Sequence, residues 1–160
     1  MRKYFLSFVA LAAGLFATSC QESIVEPQIA GPTTFTVQLP EQMGTKTIGE
    51  AKNVDALYVA VYNEAAPGAK AIFKTQEPVE NGVATVTLNL IQDQSYDIVF
   101  WAQKGTSYVD ENSELLSIPM KNTFHNSEEG AAFFHFEDEF TPGDPSDITL
   151  RRPFAQLNIR

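Results

Sequence analysis

The chain has 160 residues, with 20 Asp and Glu against 11 Lys and Arg, and a single cysteine. The acidic balance argues against nucleic acid as a partner, which calls for clustered Lys and Arg, and against electrostatic adhesion to anionic lipid. One cysteine excludes an intrachain disulfide framework.

Met1-Arg2-Lys3 is a short basic segment, and Tyr4 to Phe16 is an uncharged, mostly apolar run. The run is too short to span a bilayer, which takes about 20 apolar residues, and it fits the apolar region of a signal peptide. Ala17-Thr18-Ser19-Cys20 then reads as a lipobox. There Cys20 is the lipid-attachment residue, alkylated by diacylglycerol and left as the first residue after cleavage. Residues 1–19 are therefore expected to be a lipoprotein signal peptide, and the mature protein to be exported and held on a membrane by its N-terminal lipid. Several acyl chains bury more methylene than one marginal anchor, so that attachment is stable. Arg2 and Lys3 leave with the signal, which brings the balance to 9 basic against 20 acidic residues, or −11. About 140 residues remain, enough for one domain with its own core.

Residues 20–33 lack periodicity and read as a flexible tether. Thr34 to Leu39 alternates, with Phe35, Val37 and Leu39 on one face, and predicts a half-buried strand. Pro40 ends it, and Glu41 to Lys52 is a polar loop. Val54 to Tyr62 is apolar on both faces, as in a covered central strand. Ala71 to Lys74 is a candidate short strand, and Asn81-Gly82 is a turn signal. Val83 to Leu90 alternates again. Tyr96 to Gln103 is aromatic and β-branched and is the strongest strand signal in the chain. The short Gln92–Ser95 connection predicts that these two strands form an antiparallel hairpin.

Leu115 to Met120 predicts a further strand. Ala131 to Phe136 fits a strand or a helical turn. Ile148 to Ile159 reads as a final strand with a phase defect. Ile148 and Leu150 share one phase and Ala155, Leu157 and Ile159 the other, so a bulge at Pro153 would return one face to the core. About seven short strands separated by turns, with no sustained helical period after the signal, predict an all-β antiparallel β-sandwich over residues 34–160. The chain stops at Arg160 directly after an apolar strand, which suggests the N-terminal part of a longer protein.

No catalytic constellation is visible: there is no phosphate loop, cysteine pair or His-Glu-x-x-His helix, so an enzyme is not expected and no cofactor is implied. His125 and His135 with Glu137 and Asp138 could meet a metal in principle. The acids Glu137-Asp138-Glu139, Asp144 and Asp147 could bind calcium, but their spacing is not that of an EF-hand loop. The simpler reading is that the histidines are surface groups and the acids a solvated rim, and no metal site is assigned. Trp101 either packs in the core or, if it faces solvent beside Tyr58 or Tyr62, offers a stacking surface for a sugar.

The lipobox, the strand Thr34–Pro40, Thr45-Lys46-Thr47, Val54–Tyr62, Tyr96–Gln103 and Leu150–Ile159 together resemble the fimbrillin-like lipoproteins of Bacteroidetes, the subunits of type V pili and their relatives. The resemblance implies a transthyretin-like Greek-key sandwich, an outer-membrane location at the cell surface, and other pilin subunits or surface ligands as partners. It also implies a mechanism. A trypsin-like protease cuts after a basic residue in the loop following the first strand, that strand is lost, and a strand of the next subunit fills the groove. Backbone hydrogen bonds would then give affinity, alternate side chains would give fit, and head-to-tail repetition would give an open filament. Here the removable strand would carry Phe35, Val37 and Leu39, and the candidate cut follows Lys46. The usual residue in such proteins is arginine, and none lies between Arg2 and Arg151. Lys46 is equally well a solvated loop lysine, in which case the protein stays lipidated as a pilus anchor or a free surface lipoprotein. A stand-alone glycan-binding lipoprotein is the alternative reading.

Overall fold

A computed structural model of the protein describes residues 29–40, 51–119 and 130–153. Among the described residues seven strands form two sheets. Strand β1 (Ala30–Gln38), β4 (Val83–Ile91) and β7 (Asp147–Thr149) make the first, in the order β4-β1-β7. Strands β2 (Ala56–Tyr62), β3 (Phe73–Pro78), β5 (Tyr96–Gln103) and β6 (Ala132–Phe140) make the second, in the order β3-β2-β5-β6. All pairings are antiparallel except the parallel one between β1 and β7. β4 returns to lie beside β1 after β2 and β3, a Greek-key return. The expected all-β sandwich is the fold found.

The alternation in the sequence decides which faces meet. Phe35, Val37, Val86 and Leu88 from the first sheet pack on Leu57, Val59, Val61, Ile98 and Phe100 from the second, forming the inner core. The outer face of the first sheet is polar: Thr34 and Thr87 share a hydrogen bond across strands (3.0 Å), and Thr36 faces Thr85. β2 and β5 are buried on both faces. Their outer sides form a second core with Tyr108, Val109 and Leu115 from the segment that follows β5.

Several expectations are corrected. β4 and β5 are not a hairpin. β4 pairs with β1 and β5 with β2 and β6, so the Gln92–Ser95 connection carries the chain from one sheet to the other. Asp93 at φ 61° makes the corner, and the Tyr96 hydroxyl accepts the Ile91 N–H across it (3.0 Å). The physical reason lies in the two patterns. A strand apolar on one face suits a sheet with one face open, whereas β5, apolar on both, is stable only where both faces are covered. Leu115 to Pro119 form no strand; Leu115, Leu116 and Ile118 instead pack over the outer face of the second sheet.

β1 begins at Ala30, so residues 30–33 belong to the sheet and not to a tether; they lie opposite Leu88–Ile91. Pro32 is tolerated because the β7 pairing starts only at Thr36, leaving that stretch of β1 with one neighbour. β3 starts two residues later than Ala71 and ends at Pro78, which cannot continue the ladder as a donor. β6 is a strand and continues through Glu137-Asp138-Glu139. A register shift opposite Tyr96–Ile98 lets it, with Glu139 at φ 54° and its N–H bonded to Asp97 Oδ1 (3.0 Å).

The last strand also changes partner earlier than its phase defect suggests. Leu150 N–H donates to Gln38 of the first sheet (2.8 Å). One residue later, Arg151 exchanges both backbone bonds with Phe134 of the second (2.7 and 2.9 Å). The switch therefore falls at Leu150–Arg151, before Pro153. Residues 154–159 of the expected strand lie outside the described residues.

Candidate strand-exchange groove around β1

β1 fills the middle of the first sheet. Its nine residues run in continuous register along β4, from Ala30 opposite Ile91 to Gln38 opposite Val83, and Thr36–Gln38 also run parallel to Asp147–Thr149. Backbone bonds close its C-terminal end on both sides. Leu39 N–H donates to Gly82 O (2.8 Å), Thr36 N–H to Ser146 O (3.0 Å), and Gln38 O accepts from Leu150. Asn81 and Gly82, at φ 53° and 80°, turn the chain so that the Gly82 carbonyl can reach Leu39.

The three inward side chains are the ones the alternation picks out. Phe35, Val37 and Leu39 are 0, 2 and 8% exposed. The Phe35 ring lies 4.9 Å from that of Phe140 and 5.4 Å from that of Phe100, tilted in both cases, so it joins β1 to two strands of the facing sheet. Burial of each such side chain contributes roughly 1.5–3 kcal/mol. Taking β1 out would leave β4 and β7 as facing edges above an apolar floor of Phe100 and Phe140 from the facing sheet. A strand with apolar residues at every second position would fit that slot, with ladder bonds on both sides.

Residues 27–160 match the sequence pattern described as a family of unknown function, DUF6562. The chain belongs to the DUF6562 family. No curated protein and no solved structure matches it. The DUF6562 match opens three residues before β1 and includes β1, its following loop and β7, so the strand at issue is part of the family unit. Cys20 and Lys46 lie outside the described residues, as does His125.

The other candidate residues take structural places. Trp101 is 3% exposed, so of the two placements weighed for it core packing is the one found, and its ring is not a solvent-facing stacking surface. It lies edge-on to Tyr108 at 5.7 Å, and its Nε1–H donates to Gln103 Oε1 (2.8 Å). Tyr58 and Tyr62 are buried on the same outer face, and desolvation raises the pKa of the Tyr58, Tyr62 and Tyr108 phenols. His135 Nε2 pairs with Glu137 Oε2 at 2.8 Å. Asp144 accepts from the Thr141 N–H (2.8 Å), away from that pair in the chain. Among the described residues no three His, Cys, Asp or Glu gather as metal ligands.

Two polar residues that carried no role in the sequence reading hold this side of the DUF6562 domain together. Gln103 is fully buried. It accepts from Trp101, Tyr108 and Val109 and donates to Gly105 O and Val109 O (2.7 and 2.8 Å). Asp97 is buried in β5 and accepts from both Ala65 (2.6 Å) and Glu139. The available signal was a lone polar side chain inside an otherwise apolar strand, which is stable there only if its hydrogen bonds are met.

Proposed function

We propose that this chain is a surface lipoprotein of fimbrillin type, a structural or adhesive pilus subunit or pilus anchor that assembles by strand addition. The supporting observation is the placement of β1: N-terminal in the chain, central in its sheet, and the carrier of Phe35, Val37 and Leu39 into the inner core. A removable strand needs this placement, because its loss opens a slot with two unpaired edges and an apolar floor, which another strand can fill at little cost in reorganisation. The lipobox at Cys20 places the protein on the outer membrane in this reading. Lys46 then decides between two states, since a cut after it discards the lipid with β1 and an intact chain stays moored. Trp101, Tyr58 and Tyr62 are all buried and so lend no stacking surface to the glycan-binding alternative.

The test is N-terminal sequencing of surface material after treatment with a trypsin-like protease, together with electrophoresis of unheated samples. A polymerising subunit begins near Thr47 and runs as an SDS-resistant ladder. Material that begins only at lipidated Cys20 and gives no ladder would sink the polymerising version and leave the anchor.

A further inference from the structure

Sheet edges are where strands recruit other strands, and proteins normally guard them with charge, proline, bulges or brevity. Three of the four edges among the described residues are guarded so. β3 carries Lys74, Glu77 and Pro78. β6 has a register shift, three consecutive acids and the backbone bridge to Arg151. β7 is three residues long. β4 differs on every count: nine residues, no charge, no proline and an unbroken register with β1.

The ladder phase shows which of its groups face out. Leu39 donates to Gly82 and Gln92 donates to Ile29, so Ala84, Val86, Leu88 and Leu90 bond to β1. Thr85, Thr87 and Asn89 therefore turn their N–H and C=O away from the sheet. The outward groups just beyond them are occupied. Val83 exchanges bonds with Glu80 (2.9 and 3.0 Å), and Ile91 N–H is bound by the Tyr96 hydroxyl. Alongside runs a cleft of about 300 Å³ lined by Val61, Leu88 and Leu90, with Ile72 and Phe73 at its rim, 53 and 48% exposed.

We propose that this edge pairs with the β4 edge of a second copy of the chain, antiparallel about a two-fold axis at Thr87. In that register Thr85 faces Asn89 of the other copy and Thr87 faces its own counterpart. All three are outward-turned residues, so six backbone bonds form and stop where the occupied groups begin. Val86 sits beside the second copy's Leu88, which continues the inner core, and the Ile72–Phe73 rims of the two copies cover each other. Charge selects a copy of the same chain as the occupant. The protein carries a net −9, so copies repel over most of their surface, but no charged residue occurs between Glu80 and Asp93. The β4 edge can thus meet itself without opposing like charges. The pairing is isologous and closes at two copies, and it does not require β1 to leave.

Sedimentation equilibrium of the purified full chain, across roughly 1–100 µM, is the test. Twice the mass of one chain is expected. Thr87→Lys, which sets two lysines face to face on the axis, weakens association by at least about tenfold. Thr149→Lys, exposed on β7 at the opposite edge of the same sheet, leaves it unchanged. In a Cys20→Ser background, Thr87→Cys forms a disulfide-linked dimer on oxidation, since hydrogen-bonded antiparallel partners stand about 5.5 Å apart at Cα, within disulfide reach; Thr36→Cys does not. A monomeric wild-type chain overturns the proposal, as an edge that waits for a different protein would give. So does association that survives Thr87→Lys, as lipid-driven clustering would give.

Discussion

The two sheets of this protein are built on different terms. The first has one buried face and one threonine-rich face, and its middle strand is held by ladder bonds and three inward side chains. The second has its two middle strands, β2 and β5, buried on both faces, between the inner core and a roof made from the segment after β5. Removal of β1 would cost one layer of packing. Removal of β2 or β5 would tear two cores and the Gln103 network at once. Strand exchange is therefore physically reasonable in the first sheet and prohibitive in the second, and both the proposed groove and the proposed dimer edge belong to the first.

The largest expected effect breaks the first sheet from within. Phe35→Ala should destabilise the fold by about 3–5 kcal/mol, read as a lowered denaturant midpoint, because the ring it deletes packs on both Phe100 and Phe140. Against a typical total of about 5–15 kcal/mol, that is a major share. A change under about 1 kcal/mol would mean that β1 is already loosely held and would undo the argument that its loss opens a defined slot.

Gln103→Leu should cost about 2–4 kcal/mol and act mainly on the roof. Trp101 Nε1 and the Val109 N–H lose their acceptor, and the Gly105 and Val109 carbonyls lose a donor. Trp101 is the only tryptophan, so its emission should shift to the red as water reaches it. An unchanged spectrum would show that the roof closes without Gln103.

The smallest effect is acid loosening of the same roof. The Ala71 N–H, and then Lys74, hold the Glu114 carboxylate below its usual 4.5. The Ser113 hydroxyl, and then the Asn112 N–H, do the same to Asp110 below 3.8. Lowered folded-state pKa values stabilise at pH above the unfolded values and lose that contribution as pH falls through the folded ones. Amide protection across residues 108–116 should therefore fall a few-fold between about pH 5 and pH 3 while the amides of Val86 and Leu88 hold. Equal loss in both regions would mean that the roof and the first sheet open as one unit.

Alternation made β1 and β4 legible as one-sided strands, and unbroken apolar runs made β2 and β5 legible as covered ones. Tyr96–Gln103 has the bounds expected of it. The Phe35, Val37 and Leu39 face was legible for the same reason, since period two is set by the pleat and needs no partner to be read. Leu115 and Ile118 were misread as strand because a short apolar segment carries no mark of whether it pairs by backbone or packs by side chain. Asp97 and Gln103 stood out only as polar residues in an apolar strand; what they hold was not legible, because the partners of Asp97 lie at Ala65 and in β6 and most of those of Gln103 in the segment after β5.

What the amino-acid sequence determined alone is local: which faces are apolar, where turns fall, and that the chain is strongly acidic. Tertiary structure decided which strands are neighbours. Gln92–Ser95 could as well have closed a hairpin. It became a crossover because β5 needed cover on two faces and β4 on only one, and that choice set β1 between β4 and β7 and left β4 at an edge. Pairing is a contest between whole strands for burial, and no segment carries its outcome in its own residues.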